Sequence, residues 1–105
     1  MRFVETPLFT EAIVTLMPDD EYASFQAALI TRPDLGAVLP GGGGVRKVRW
    51  GLPGRGKRGG ARVIYFWEPI PEVCFMLYAY RKSEAQDLTQ AQIRLLKRLV
   101  EQEFK

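Results

Sequence analysis

The chain has 105 residues and a formal net charge of +3, with 47% hydrophobic and 26% charged residues. That length suits one domain spanning 1–105, and the composition is that of a globular chain, not a disordered one. One Cys and no His exclude an internal disulfide framework, a multi-Cys zinc site, and Ser-His-Asp or Cys-His catalysis within the chain. The mild net charge conceals a split. Residues 35–67 carry seven bases (Arg46, Lys47, Arg49, Arg55, Lys57, Arg58 and Arg62) and no acid, so this stretch holds +7 against −4 for the remainder. Interleaved with Trp50, Tyr65 and Trp67, it suits a polyanion, most simply RNA or DNA. The plainer reading is a solvated basic face. There is no apolar run of about 18 residues and no signal-peptide core, so a cytoplasmic protein without a membrane partner is expected.

In chain order, Arg2–Glu5 reads as a short edge strand. Thr6-Pro7 starts a helix, with Thr as N-cap and Pro at the first helical position, running to about Leu16. Met17-Pro18 interrupts it. Asp19 is expected to cap a second helix whose first turn carries Asp20 and Glu21, where the helix dipole favours acids. Tyr22, Phe25 and Leu29 form its apolar stripe, and Thr31-Arg32-Pro33 ends it. The two helices are expected to pair as a hairpin. Residues 33–44 read as loop. From Val45 the period becomes two, placing Arg46, Val48 and Trp50 on one face of a strand and Lys47 and Arg49 on the other. Gly51–Gly60 reads as a glycine-rich basic loop and Ala61–Trp67 as a strand. The prolines of 68–72 make a connection. Val73–Tyr80, apolar on both faces, is expected to be a central strand. Thr89 and Gln92 form a capping box for a last helix with Ile93, Leu96, Val100 and Phe104 on one stripe. The expected class is α+β: a small, mainly antiparallel sheet with an N-terminal helical hairpin and a C-terminal helix.

Two nucleotide motifs match in letters and fail in context. Gly51 to Lys57 fits a P-loop as far as its lysine, but Arg58 stands where a Ser or Thr should hold magnesium. Gly54 to Gly59 fits a dinucleotide fingerprint, but a strand follows where the phosphate would need a helix N-terminus. Cys74, alternating within an apolar strand, reads as a core filler. Asp19-Asp20-Glu21 reads as a helix start, and Glu68 and Glu72 flank a turn, so no metal site is expected.

Three stretches remain: Gly43-Gly44-Val45-Arg46-Lys47-Val48-Arg49; Gly56-Lys57-Arg58-Gly59-Gly60-Ala61-Arg62-Val63-Ile64-Tyr65-Phe66; and Tyr78-Ala79-Tyr80-Arg81-Lys82-Ser83-Glu84, leading to Asp87-Leu88-Thr89. In this order and spacing the chain resembles the RelE superfamily of bacterial toxins, closest to the HigB-like branch. The resemblance implies a type II toxin–antitoxin system. Its toxin would be a metal-independent endoribonuclease that enters the ribosomal A site, cuts messenger RNA and so inhibits translation. It implies no cofactor, and a cognate antitoxin of the helix-turn-helix kind as partner beside ribosome and mRNA. It also implies a microbial-RNase-like sheet with its helices on one side and its active residues on a concave face.

By motif position, Arg62 resembles the family's strand arginine near the scissile phosphate, and Lys82 its C-terminal basic catalytic residue. Tyr80 sits near the place of a family aromatic, and Lys57 and Arg58 lie in the loop of basic RNA contacts, with Lys57 a second candidate catalytic lysine. Arg46, Lys47, Arg49, Arg55 and Arg81 are the further candidate RNA or ribosome contacts. Some HigB members place a His in the site; this chain has none, which leaves Lys, Tyr, or the ribosome and RNA to supply the base. RNA brings its own nucleophile, the 2′-hydroxyl, so the chain need only orient it, take its proton and stabilise the phosphorane. The alternative is a non-catalytic RNA- or ribosome-binding module on the same fold.

Overall fold

The computed structural model describes residues 1–52, 56–83 and 87–104, with backbone alone at 56–59 and 104. The elements are β1 (Arg2–Glu5), α1 (Pro7–Leu16), α2 (Asp19–Thr31), β2 (Ala37–Val38), β3 (Arg46–Leu52), β4 (Gly56–Glu68), β5 (Val73–Arg81) and α3 (Gln90–Phe104). The strands form one sheet in the order β1-β5-β4-β3-β2. Every neighbouring pair is antiparallel except β1 and β5, which run parallel. The class is the expected α+β, with β1 at an edge and β5 inside.

Local chemistry sets the helix starts. Thr6 Oγ1 accepts from the N–H of Phe9 at 3.0 Å and donates to the Leu77 carbonyl at 2.8 Å, so one hydroxyl caps α1 and ties it to β5. Thr89 and Gln92 close the reciprocal capping box of α3, with Thr89 N–H donating to Gln92 Oε1 at 2.8 Å and Gln92 N–H to Thr89 Oγ1 at 3.1 Å. At α2 the expectation is corrected. Pro18 is the N-cap, with no side-chain cap bond, and Asp19 is already helical. Proline's fixed φ at an extended ψ suits that position, and it displaces the cap by one residue.

Two loops are shorter than the sequence predicts. Residues 33–44 contain β2, a two-residue strand on the outer edge of β3. The stretch 51–60 is mostly strand, because β3 continues to Leu52 and β4 begins at Gly56. Glycine and charge weaken strand propensity, but ladder pairing to a long neighbour outweighs it.

The sheet is apolar on both faces. Phe9, Ile13 and Leu16 of α1 and Phe25 and Leu29 of α2 pack with Val48, Val63, Tyr65, Cys74 and Met76 on one face. Val100 of α3, flanked by Leu88 and Leu96, packs with Ile64, Phe75 and Leu77 on the other. The helices therefore lie on both sides of the sheet, not on one as the resemblance implied. Cys74 is a buried core residue, as expected. Between β4 and β5, Ile64 pairs with Tyr78 but Tyr65 pairs with Met76, so Leu77 is a bulge residue. The bulge reverses the alternation of β5: Leu77 and Tyr78 share a face, and Tyr80 follows Tyr78 onto it.

Candidate functional site

On the α3 side of the sheet, beyond the end that α3 covers, the strands carry polar side chains. Arg49 of β3 lies directly opposite Arg62 of β4, and Arg62 directly opposite Tyr80 of β5. Cross-strand partners share a face and stand about 4.5–5.5 Å apart at Cβ. One row of the sheet thus reads Arg49, Arg62, Tyr80. The next row reads Lys47, Ile64, Tyr78. Tyr78 and Tyr80, brought onto one face by the bulge, stack with ring centroids 5.9 Å apart and an interplanar angle of 27°.

Arg62 is buried, at 4% exposure, and its Nη1 donates to the Ala61 carbonyl at 3.3 Å. A guanidinium is a bidentate donor to phosphate, and at 4% exposure Arg62 meets one only when the groups that cover it shift. Tyr80 is buried beside it, and among the described residues its hydroxyl meets no hydrogen-bond partner. Burial pushes the Tyr80 phenol above its ordinary value. Asp87 and Tyr78 push the same way, and Arg62 opposes them. The phenol is therefore a proton donor, not a base, at neutral pH.

The site closes with two residues beyond β5. Lys82 follows the strand, its backbone N–H donating to the Gly60 carbonyl at 3.2 Å. Asp87 accepts from Lys47 Nζ at 2.9 Å, across the face from β3. The Asp87 carboxyl is held below its ordinary value, first by that hydrogen bond, then by the charge of Lys47, with Lys82 and Arg49 adding to it. Lys47 therefore pairs with this exposed carboxylate, and the charges of Lys82 and Arg49 act on it from farther away.

Of the residues selected from sequence, the fold brings together Arg62, Tyr80, Lys82, Lys47 and Arg49. Arg46 lies on the opposite face, where Nη1 donates to the Gly36 carbonyl at 2.8 Å. Arg81, opposite Ala61, alternates with Tyr80 and is directed away from this row. Lys57 and Arg58 lie on the backbone of β4, but their side chains, like all of Arg55, fall outside the described residues. Tyr65 belongs to the core. Its hydroxyl accepts from Gly36 N–H at 2.9 Å and donates to the Pro33 carbonyl at 2.7 Å. Two members of the site, Tyr78 and Asp87, were not selected from sequence. No pattern marked the first, because β5 is apolar at every position from Val73 to Tyr80 and its bulge appears only in the pairing with β4. The second closes the third resemblance stretch, Asp87-Leu88-Thr89, but no role was assigned to it there.

The large groove of about 950 Å³ lies elsewhere, between the start of α1 and α3, with Leu8, Leu95, Leu99 and Phe75 in its wall. Among the described residues no Lys or Arg lines it, and Tyr78 is its one member shared with the basic face. Among the described residues, no helix is long and apolar enough to cross a membrane.

The arrangement offers a buried Arg and flanking cations for phosphate oxygens, a phenol as proton donor, and stacked aromatic rings against which a base could lie. Residues 30–105, which include the whole of this face, match a family model described as the RelE toxin of the RelE/RelB toxin–antitoxin system.

Proposed function

From the premise that the chain belongs to the RelE toxin family of toxin–antitoxin systems, we propose that it is a ribosome-dependent endoribonuclease of the HigB-like branch that cleaves translated mRNA without a metal. Membership implies an antitoxin partner; a helix-turn-helix antitoxin, a cytoplasmic setting and docking to the ribosome belong to the proposal. The observation that carries it is the row Arg49, Arg62, Tyr80 with Lys47 and Lys82 on the same face.

The chemistry follows from those side chains. The 2′-hydroxyl of the RNA attacks the adjacent phosphorus, and the 5′-oxygen leaves, giving a 2′,3′-cyclic phosphate and a 5′-hydroxyl end. Arg62 and Arg49 hold the phosphate oxygens and stabilise the charge that grows on them, an effect worth about 10²–10³ in rate for one positioned donor. The protonated Tyr80 phenol or the Lys82 ammonium supplies a proton to the leaving oxygen. Lys57 and Arg58, whose backbone belongs to β4, remain part of the proposal as further RNA contacts on the strength of the family motif alone.

The test is to map mRNA 5′ ends after brief induction. New ends should fall inside translated reading frames and vanish when initiation is blocked. Arg62→Ala should abolish them, with an unchanged circular dichroism spectrum. Tight ribosome binding without new ends would instead favour the non-catalytic module.

A further inference from the structure

The geometry points to Asp87 as the residue that takes the proton from the RNA 2′-hydroxyl. This assignment rests on the endoribonuclease reading above and supplies the base which that reading lacks. The groups facing the site are Lys47 and Arg49 from β3, Arg62 from β4, Tyr78 and Tyr80 from β5, and Lys82 just beyond it. Four are cations and two are phenols, and each must lose a proton before it can accept one. Asp87 is already ionised. Its side chain is 76% exposed, whereas Lys47, to which it is bonded, is 18% exposed. A carboxylate standing out from a cationic floor is reachable by a strand laid on that floor.

The step balances with groups already named. An Asp87 carboxylate oxygen takes the 2′-hydroxyl proton as the O2′–P bond forms. The P–O5′ bond breaks, its electron pair leaves with O5′, and that oxygen takes a proton from Tyr80 or Lys82. A carboxylate held down by three cations is a weak base. The substrate itself relieves this. An incoming phosphodiester brings negative charge to Lys47 and Arg49, which then stabilise the Asp87 anion less, so the base strengthens when RNA is bound.

The experiment measures single-turnover cleavage of mRNA on programmed ribosomes, at saturating toxin, from about pH 6 to about pH 8.5. The wild type should give a nearly flat profile. Asp87→Asn should cleave about 10²–10³-fold more slowly with unchanged half-saturation, and its residual rate should rise about tenfold per pH unit as hydroxide replaces the lost base. Asp87→Glu should recover part of the rate.

Three outcomes overturn the assignment. One is Asp87→Asn cleaving as fast as the wild type or faster, which makes the carboxylate a mere tie on Lys47. Another is a slow Asp87→Asn with a flat profile, or a wild-type rate that itself climbs with pH. The third is Lys47→Met matching Asp87→Asn with no further loss in the double variant, because then Asp87 acts only through Lys47. A wild-type chain that cleaves nothing on ribosomes overturns the endoribonuclease reading instead.

Discussion

Tyr80 bears the cost of a buried hydroxyl with no hydrogen-bond partner among the described residues. Removing such a group relieves desolvation and breaks no bond. Tyr80→Phe should therefore leave the urea midpoint unchanged or slightly higher, within about 0.5 kcal/mol, while cleavage falls by about tenfold or more if the phenol serves the leaving oxygen. A large loss of stability would instead make Tyr80 a structural residue. Cys74 gives a prediction of the opposite kind. Burial pushes its thiol from 9.0 up to about 11. The folded value is raised, so the stability it confers is full below pH 9.0 and is lost as pH climbs from there through about 11. The shift corresponds to about 2–3 kcal/mol. Thermal melts should drop over that window, and Cys74→Ala should reduce the drop most between pH 9.0 and pH 10.0, below which the raised phenols of Tyr22, Tyr65 and Tyr80 do not contribute. At this scale the motif was informative but incomplete. It selected Arg62, Tyr80 and Lys82, which the fold gathers on one face, and it also selected Arg46, which the strand alternation had already placed on the other side of β3 from Lys47 and Arg49. Asp87 stood in the third stretch, but its place in the site could not be read from its neighbours, because its bond to Lys47 spans forty positions.

Elements whose ends are set by short-range chemistry were legible: the Thr6 cap, the Thr89–Gln92 box, the apolar run of β5. Elements set by pairing were not. β2 exists only because β3 lies beside it, and the β5 bulge is a property of two strands in register. The same holds for the β3–β4 hairpin, whose glycines read as loop. Gly60 shows what they do instead. A Cβ built there would stand 2.3 Å from the carbonyl oxygen of Trp50 and 3.2 Å from Cα of Gly51. The two strands approach so closely that only hydrogen fits. Gly60→Ala should cost about 1–3 kcal/mol, the usual range for forcing extra volume into a packed site. It should also weaken cleavage, because the strain falls two residues from Arg62 in the same strand. A denaturation midpoint within error of the wild type would show that the hairpin can part without penalty.

For the whole molecule, the charge split proved more specific than a basic patch. Of the described cations of that stretch, Arg46 lies on one face of the sheet and Lys47, Arg49 and Arg62 on the other, toward α3, where Lys82 joins them from outside the stretch. The face therefore carries Lys47, Arg49, Arg62 and Lys82, with Arg62 the most buried of the four, whereas Arg46 is held by the Gly36 carbonyl on the far side. Counterion release turns that division into a measurement. Each phosphate neutralised on a single strand contributes a slope of about −0.7 in log K against log salt. Four cations give about −3, steeper if the β3–β4 hairpin adds contacts. Fluorescence anisotropy with a labelled single-stranded RNA, titrated over a series of KCl concentrations, reads the slope directly. Arg49→Ala should make it shallower by about 0.7. Arg46→Ala should leave it unchanged, because that guanidinium does not share the face. Equal effects from the two variants would mean that RNA binds diffusely around the chain, and the face would lose its claim to be the site.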